Sequence, residues 1–150
     1  MKETSNAPHP QGFLQQSLPP CVVVHSLEHA TTALAPGRPV TLLSARGAAL
    51  YAGVGWWRQL VAQARARHPH THCHDVLDCA RAPGLALAAL RLGQTGLLLD
   101  ATSPGYASVA ALAAAQYGVR LLSQRPPSLD LAGHGALRLL PAVLAGSKDI

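Results

Sequence analysis

A regular alternation of apolar runs with helical segments constrains the fold of this chain more than any other feature. Runs rich in Val and Leu recur about every 25 residues, and each is followed by a segment with helical spacing or helix-ending Pro and Gly. Apolar strands of this kind are typical of a sheet covered on both faces, and strand–helix–strand units make neighbouring strands parallel. The sequence therefore predicts an α/β fold, a three-layer α/β/α sandwich with a mainly parallel sheet of about five strands. The predicted strands are Cys21–Val24, Pro39–Leu43, His72–Leu77, Gly96–Leu99 and Val119–Leu122.

The segments between these strands predict four helices and a last helical piece. The most regular is Val54–Arg67, where Trp57, Leu60 and Val61 share one side. The strand order is open between two arrangements, a flavodoxin-like 2-1-3-4-5 order and a half-Rossmann 3-2-1-4-5 order. The first places strand three in the middle of the sheet, and the second places it at an edge. The other predicted helices are Leu27–Ala35, Pro83–Leu92, Pro104–Tyr117 and Leu137–Ala145, with residues 124–135 irregular.

Length and cysteine content predict one cytoplasmic domain. The 150 residues suit a single domain at 21–150, and the polar, Pro-rich residues 1–20 predict a disordered lead. The three cysteines leave one unpaired in any disulfide scheme, and residues 1–20 contain no apolar signal segment, so we expect free thiols in a reducing cytoplasm. No apolar run is long enough for a membrane span. The excess of Ala and Leu is typical of GC-rich bacterial genes.

The positive charge is carried by arginines. The formal net charge is +5, both lysines lie near the termini, and five arginines but no carboxylate lie between His29 and His74. Such a surface attracts anions, including nucleic acid. Nucleic-acid binders usually interleave aromatic residues with their basic ones, and only Trp56 and Trp57 are nearby, with one of them expected in the core. A basic nucleic-acid accessory protein is therefore the least favoured of three functions.

No lysine lies between Lys2 and Lys148. The chain therefore has no anchor for pyridoxal phosphate and no phosphate-loop lysine, and no cofactor is predicted.

The favoured function is the binding of a small anionic molecule at one edge of the sheet. Ligands of open parallel sheets bind at the carboxyl ends of the strands, and each predicted strand changes there from apolar to polar residues. Arginines at this edge would hold the anionic group, and a reaction is left open, with Cys79 or Asp78 carrying the chemistry and His25 as a base. The predicted catalytic residues are His25, Asp78 and Cys79, and the predicted ligand-binding residues are Ser26, Ser44, Arg46, Arg81, Asp100, Thr102, Ser103 and Arg125.

Cys79 has two interpretations. A thiol between a strand end and a helix start is favoured as a thiolate by the backbone N–H groups and the helix dipole, and Arg81 would add to this. Asp78 or Asp100 would then orient His25 as its base. The alternative is a buried and inert cysteine, which is the commoner situation.

Four histidines alternate along the start of the third predicted strand. Because residues two apart share a strand face, His72 and His74 have the spacing to hold a zinc or nickel ion together. Structural zinc sites normally take ligands from two separated segments, and no Cys-x-x-Cys pair occurs elsewhere. The sequence therefore predicts no metal site here. The cluster, which also contains His68 and His70, lies at the edge of the sheet opposite the predicted ligand site.

Two stretches resemble the receiver domain of response regulators. Asp75-Val76-Leu77-Asp78, followed by Pro83-Gly84, is similar to its phospho-acceptor strand and loop, and residues 113–126 are similar to its last helix and Lys-Pro end. The resemblance implies the flavodoxin-like order. It also implies that Asp78 is the acceptor, Thr102 the switch hydroxyl and Arg125 the counterpart of the lysine.

The same resemblance implies a protein without phosphorylation. His25-Ser26 stands where receivers carry an acidic pair, so the magnesium site is missing. This gives the second function, a pseudo-receiver or other interaction module without catalysis. We expect such a module to form a homodimer through an Ala-rich helix face such as residues 107–115.

Overall fold

The computed structural model describes residues 18–146, which form an α/β fold. Most of the predicted lead therefore lies outside the described residues. Leu18–Pro20 already belong to the fold, because the carbonyls of Pro19 and Pro20 accept hydrogen bonds from the hydroxyl and the N–H of Thr41, both at 2.9 Å. The strands are β1 (Cys21–Val23), β2 (Val40–Leu43), β3 (Cys73–Asp78), β4 (Leu97–Leu98), β5 (Leu121–Leu122) and β6 (Ser128–Asp130). The helices are α1 (Leu27–Leu34), α2 (Ala48–Tyr51), α3 (Val54–Arg67), α4 (Pro83–Arg91), α5 (Tyr106–Leu112), which continues as a π-helical turn over Ala113–Tyr117, and α6 (Ala136–Leu144).

The six strands form one sheet in the order β5-β4-β3-β2-β1-β6, and all neighbouring pairs are parallel. The predicted α/β class and parallel sheet are confirmed. β3 lies in the middle, as in the flavodoxin-like order, and not at an edge. In detail, the chain steps in one direction from β1 to β5 and then returns to the far side of β1, whereas the 2-1-3-4-5 order reverses after its second strand.

The helices pack on one face of this sheet. Right-handed crossovers that always step in the same direction place their helices on the same side. Val22, Leu42, Leu77 and Leu97 face that side and share a core with buried residues of all six helices. A smaller cluster on the opposite face contains Val23, Leu43, Val76 and Leu98, packed against Leu18 and Leu122. The described residues thus form two of the three predicted layers.

The return from β5 to β6 crosses the face opposite the helices. Five residues separate Leu122 from Ser128, so the six steps between their Cα atoms reach at most about 20–22 Å. Five strand spacings across a flat sheet would measure about 24 Å. The sheet must therefore curve towards the crossing segment Ser123–Pro127, with the helices on its outer side. This curvature brings Arg125 over the ends of β2 and β3.

Two short elements were missed by the sequence prediction. The segment predicted as irregular contains β6, so the sheet has six strands rather than five. β6 has only three residues, and Ser128 and Asp130 are exposed, so it lacks an apolar run. The turn-like segment before α3 likewise contains the four-residue helix α2.

A buried polar network fastens α3 to the sheet. The carboxylate of Asp75 accepts hydrogen bonds from Trp57 Nε1 (3.0 Å), Gln94 Nε2 (2.7 Å) and Arg65 Nη2 (2.9 Å). Trp57 is fully buried, whereas Trp56 is 38% exposed, which confirms that one of the two belongs to the core. Both carboxylate oxygens are hydrogen-bonded and Arg65 supplies the opposite charge, so the network carries no unpaired charge.

We expect Trp57→Phe to destabilise the protein by about 1–3 kcal/mol. The substitution keeps a buried aromatic ring but removes one donor from the Asp75 carboxylate, and it leaves a small cavity. Urea unfolding followed by circular dichroism measures the loss. Trp56→Phe is the matched control, because Trp56 is partly exposed, and it should change the free energy of unfolding by less than about 0.5 kcal/mol. Equal losses in both variants would contradict the role of the network.

Between Leu18 and Gly146, none of the helices has the length and apolar character needed to cross a membrane.

Candidate functional site

Three strands end in the same way at the carboxyl edge of the sheet. Leu77-Asp78, Leu99-Asp100 and Leu129-Asp130 each place an aspartate at the point where the strand runs into its loop. Each carboxylate accepts the N–H of the residue two positions later, at 2.7–2.9 Å. Such turns hold the start of a loop in one conformation. The polar edge predicted from the sequence is thus built from a repeated local turn.

A buried ion pair ties three segments together at the centre of this edge. Arg125 Nη1 donates to Asp78 Oδ2 at 2.6 Å, and its Nη2 donates to the carbonyl of Ser44 at 3.1 Å. Both side chains are largely buried, at 14% exposure for Arg125 and 4% for Asp78. The hydroxyl of Ser44 accepts the N–H of Asp78 at 2.9 Å. The ends of β2 and β3 are therefore joined to the crossing segment by one network.

The loop after β3 contains a backbone conformation that is rare for its residue type. Ala80 has φ of 49°, in the left-handed region, and among residues 18–146 it is the one residue other than glycine with positive φ. Its N–H donates to Asp78, and its carbonyl accepts the N–H of Asp100, both at 2.8 Å. A Cβ atom on Gly47 would lie 3.7 Å from that of Ala80, so the loops after β2 and β3 touch. Strained residues of this kind cluster at functional sites.

Two exposed arginines flank this contact. Arg46 precedes Gly47, and Arg81 follows Ala80, so the touching loops carry one guanidinium group each. Arg81 donates to the carbonyl of Thr102 at 3.3 Å. Among the described residues, none forms a hydrogen bond or ion pair with the side chain of Arg46. Since Asp78 is already neutralised by Arg125, the charge at the surface here is positive.

The loop after β4 supplies hydroxyl groups and one exposed carboxylate. The hydroxyl and the N–H of Thr102 both donate to Asp100 Oδ1, at 2.6 and 2.7 Å. These hydrogen bonds, together with the charge of Arg81, lower the pKa of Asp100. The hydroxyl of Ser103 is buried and has no hydrogen-bond partner, and it is the one such side-chain atom in the described part of the chain. Thr102 therefore orients Asp100, and Ser103 has an unused hydroxyl.

A second polar group lies at the ends of β1 and β6. His25 Nε2 donates to Asp130 Oδ1 at 2.7 Å, and the N–H of His25 donates to His29 Nδ1 at 3.2 Å. Burial would raise the pKa of Asp130, but the hydrogen bonds from Ala132 and His25 and the charge of the two histidines lower it overall. Ser26 caps α1 by accepting the N–H of His29. Asp130 was missed from the sequence, although it repeats the Leu-Asp pattern of the other strand ends.

Cys79 lies in the core rather than in the site. Its side chain is fully buried, and burial, with the adjacent charge of Asp78, raises the pKa of the thiol to about 12. A thiolate at neutral pH is therefore disfavoured, as expected for the inert alternative. The nucleophilic role predicted for Cys79 gains no support from this environment, and neither Arg81 nor His25 forms a hydrogen bond with its sulfur among the described residues.

We expect Cys79 to be the slowest of the three cysteines to react with iodoacetamide in the folded protein at pH 8. Cys21 and Cys73 also have pKa values raised by burial, but Cys73 is only half-buried. Peptide mass spectrometry after timed alkylation gives the three rates, and labelling in urea is the control that all three thiols can react. Fast labelling of native Cys79 would contradict its burial and restore the nucleophile hypothesis.

The predicted site residues thus divide into three groups along the edge, with Cys79 separate from all of them. Ser44, Asp78 and Arg125 form the buried network, and Arg46 and Arg81 lie on the loops around it. The loop after β4 adds Asp100, Thr102 and Ser103, joined to the previous loop through the carbonyl of Ala80. His25 and Ser26 lie at the other end of the edge, with Asp130, and Cys79 is buried below.

No protein-family model matches the sequence, and no curated protein is significantly similar to it.

Proposed function

We propose that the protein binds a small molecule with a phosphate or carboxylate group at the carboxyl edge of its sheet, between the loops that follow β2, β3 and β4. The observation that carries the proposal is the placement of Arg46 and Arg81 on touching loops, above a carboxylate already neutralised by Arg125. Guanidinium groups form paired hydrogen bonds with the oxygens of carboxylates and phosphates. Neither guanidinium group forms an ion pair among the described residues, and the charge of Asp100 near Arg81 offsets only one of the two positive charges.

The buried network would support this site without touching the ligand. Asp78 is buried and accepts a hydrogen bond on each oxygen, from Arg125 and from the N–H of Ala80, so its role is to hold the loop that carries Arg81. Ser44 holds the start of the loop that carries Arg46. The unpartnered hydroxyl of Ser103 is a further donor or acceptor in the third loop. Because these contacts hold the two loops in one conformation before binding, less conformational entropy is lost when a ligand binds to Arg46 and Arg81.

A thermal-shift screen of the full chain tests the proposal, with inorganic phosphate, AMP and citrate as probes. A ligand at 100 times its Kd adds about 2.7 kcal/mol to the free energy of unfolding, which raises Tm by several degrees. We expect at least one probe to raise the Tm of the wild type, and Arg46→Ala and Arg81→Ala each to reduce the shift.

The matched controls are Arg67→Ala and Arg91→Ala. These exposed arginines lie in the last turns of α3 and α4, at the opposite edge of the sheet. They change the net charge by the same amount, so they should leave the shift as in the wild type. An unchanged Tm with every probe, or an equal reduction in all four variants, would remove the site from this edge.

We also retain the cytoplasm as the proposed location, because Cys21, Cys73 and Cys79 are all free thiols.

One observation favours the alternative of a homodimeric interaction module. Four alanines are exposed around α5 and its π-helical turn, namely Ala107, Ala111, Ala114 and Ala115. Sedimentation velocity distinguishes the two proposals. A dimer that Ala111→Arg dissociates, with no ligand-induced shift in Tm, would favour the interaction module.

A further inference from the structure

We propose that His72 and His74 together chelate a divalent ion of the Zn²⁺, Ni²⁺ and Cu²⁺ class at the amino edge of the sheet, far from the proposed anion site. Their spacing along a strand is all that the sequence predicts. The structure adds that the two Nε2 atoms lie 3.2 Å apart, with the rings edge to face at a centroid distance of 4.9 Å. This distance is the observation on which the proposal depends.

The separation of the two nitrogens fits a shared metal ion. Zinc binds imidazole nitrogen at about 2.0–2.1 Å, and two such ligands of a tetrahedral ion lie about 3.3–3.4 Å apart. Without metal, one Nε2–H donates to the other Nε2 at this distance. When an ion binds, the donor ring gives up that proton to solvent and takes one up on Nδ1, so both neutral rings carry their single N–H on Nδ1 and both Nε2 lone pairs face the ion. The hydrogen bond between the free histidines therefore holds the chelating geometry in advance.

The sheet fixes both histidines. The carbonyl of His72 accepts the N–H of Val40 at 3.1 Å, and His74 is paired with Thr41 in the register of β2 and β3. Both rings are exposed, so an ion reaches them from solvent. A chelate on paired strands loses little conformational freedom when it binds metal, in contrast to two histidines on a flexible loop.

The neighbouring candidate ligands do not take part. Cys73 points to the helix side of the sheet, where its thiol donates to the carbonyl of His74 and its pKa is raised by burial. Asp75 also faces that side, where it is buried and accepts hydrogen bonds from three donors. Residues 18–146 contain no cluster of three or more His, Cys, Asp or Glu side chains arranged to hold a metal. The described part of the chain thus supplies two ligands, and water fills the remaining positions.

Isothermal titration of the full chain, prepared without an affinity tag, with Zn²⁺ alone tests the proposal. We expect one ion per chain, and a loss of affinity of about tenfold or more in His72→Ala and in His74→Ala. His70→Ala and His68→Ala are matched controls from the same cluster, and they should bind as the wild type does. Unchanged affinity for Zn²⁺ in His72→Ala or in His74→Ala would overturn the assignment. An equal loss of affinity in His70→Ala would also overturn it.

A second measurement needs no variant. Substoichiometric Cu²⁺, added to the wild type, should broaden the imidazole proton signals of His72 and His74 before those of the other histidines. Broadening that begins at His25 or His134, or that spreads evenly over all histidines, would also overturn the proposal.

Discussion

Gly96→Ala should destabilise the fold strongly. Gly96 lies just before β4, where its carbonyl accepts hydrogen bonds from the N–H of Leu77 and from Gln94 Nε2. A Cβ atom there would overlap the backbone carbonyl oxygen of Asp75 and would lie 3.2 Å from Val76 Cγ2. Because the overlap involves the backbone of a neighbouring strand, no side-chain rotation relieves it. We expect a loss of more than about 3 kcal/mol, visible as a lower urea midpoint or as insoluble expression.

Gly84→Ala is the matched control for this substitution. Gly84 lies in the first turn of α4, and a Cβ atom there has no neighbour within 4 Å. Alanine is the better helix former, so the control should be neutral or stabilise by up to about 1 kcal/mol. A Gly96→Ala protein with the stability of the wild type would show that β3 and β4 do not approach as closely as described.

The second large effect is expected at the buried ion pair. Arg125→Ala leaves the carboxylate of Asp78 buried without its cation, and Asp78→Asn leaves the guanidinium without its anion. Removal of one partner from a buried pair typically costs about 3–5 kcal/mol. We expect each variant to lose stability in this range, measured by urea unfolding, and to lose the ligand-induced Tm shift as the edge loosens.

The double variant separates the pair from the rest of the network. Asp78→Asn with Arg125→Ala removes both charges, so it should lose clearly less than the sum of the single losses. Arg138→Ala is the control for the removal of an arginine, because Arg138 is exposed on α6, and it should change stability by less than about 0.5 kcal/mol. Additive losses in the double variant would contradict a direct ion pair.

Elements with strong local signals could be predicted from the sequence. Helix α3 was predicted at its observed bounds, because its apolar residues repeat at helical spacing and Pro69 follows its end. Strands β1 to β5 were predicted within about two residues, since each contains a Val- or Leu-rich run. β6 could not be found in this way, because its three residues include a single apolar side chain.

The strand order depends on contacts between distant residues. The position of β6 beside β1 is set by pairing between Cys21 and Ser128, which are more than a hundred positions apart and have no local pattern in common. The direction in which each crossover from β1 to β5 steps along the sheet likewise cannot be predicted from the spacing of strands and helices. Consequently, the sequence predicted the fold class and the parallel sheet, but the full order required the structure.

The candidate site was predicted as an edge rather than as a set of contacts. The polar residues after each strand were recognised, because parallel strands bring their carboxyl ends together. The hydrogen bonds that Arg125 donates to Asp78 and Ser44 depend on the curvature of the sheet. The left-handed backbone conformation of Ala80 could not be predicted from the sequence either, because alanine rarely adopts it.

The most direct test of the anion site is a titration of the isotopically labelled full chain with inorganic phosphate and with citrate, followed by amide chemical shifts. We expect saturable shifts for one of these anions, concentrated in residues 44–47, 79–82 and 100–105. Arg46→Ala should weaken the response, and Arg91→Ala should preserve it. Amide shifts that stay constant with both anions, or that concentrate at the amino edge of the sheet, would contradict an anion site between these loops.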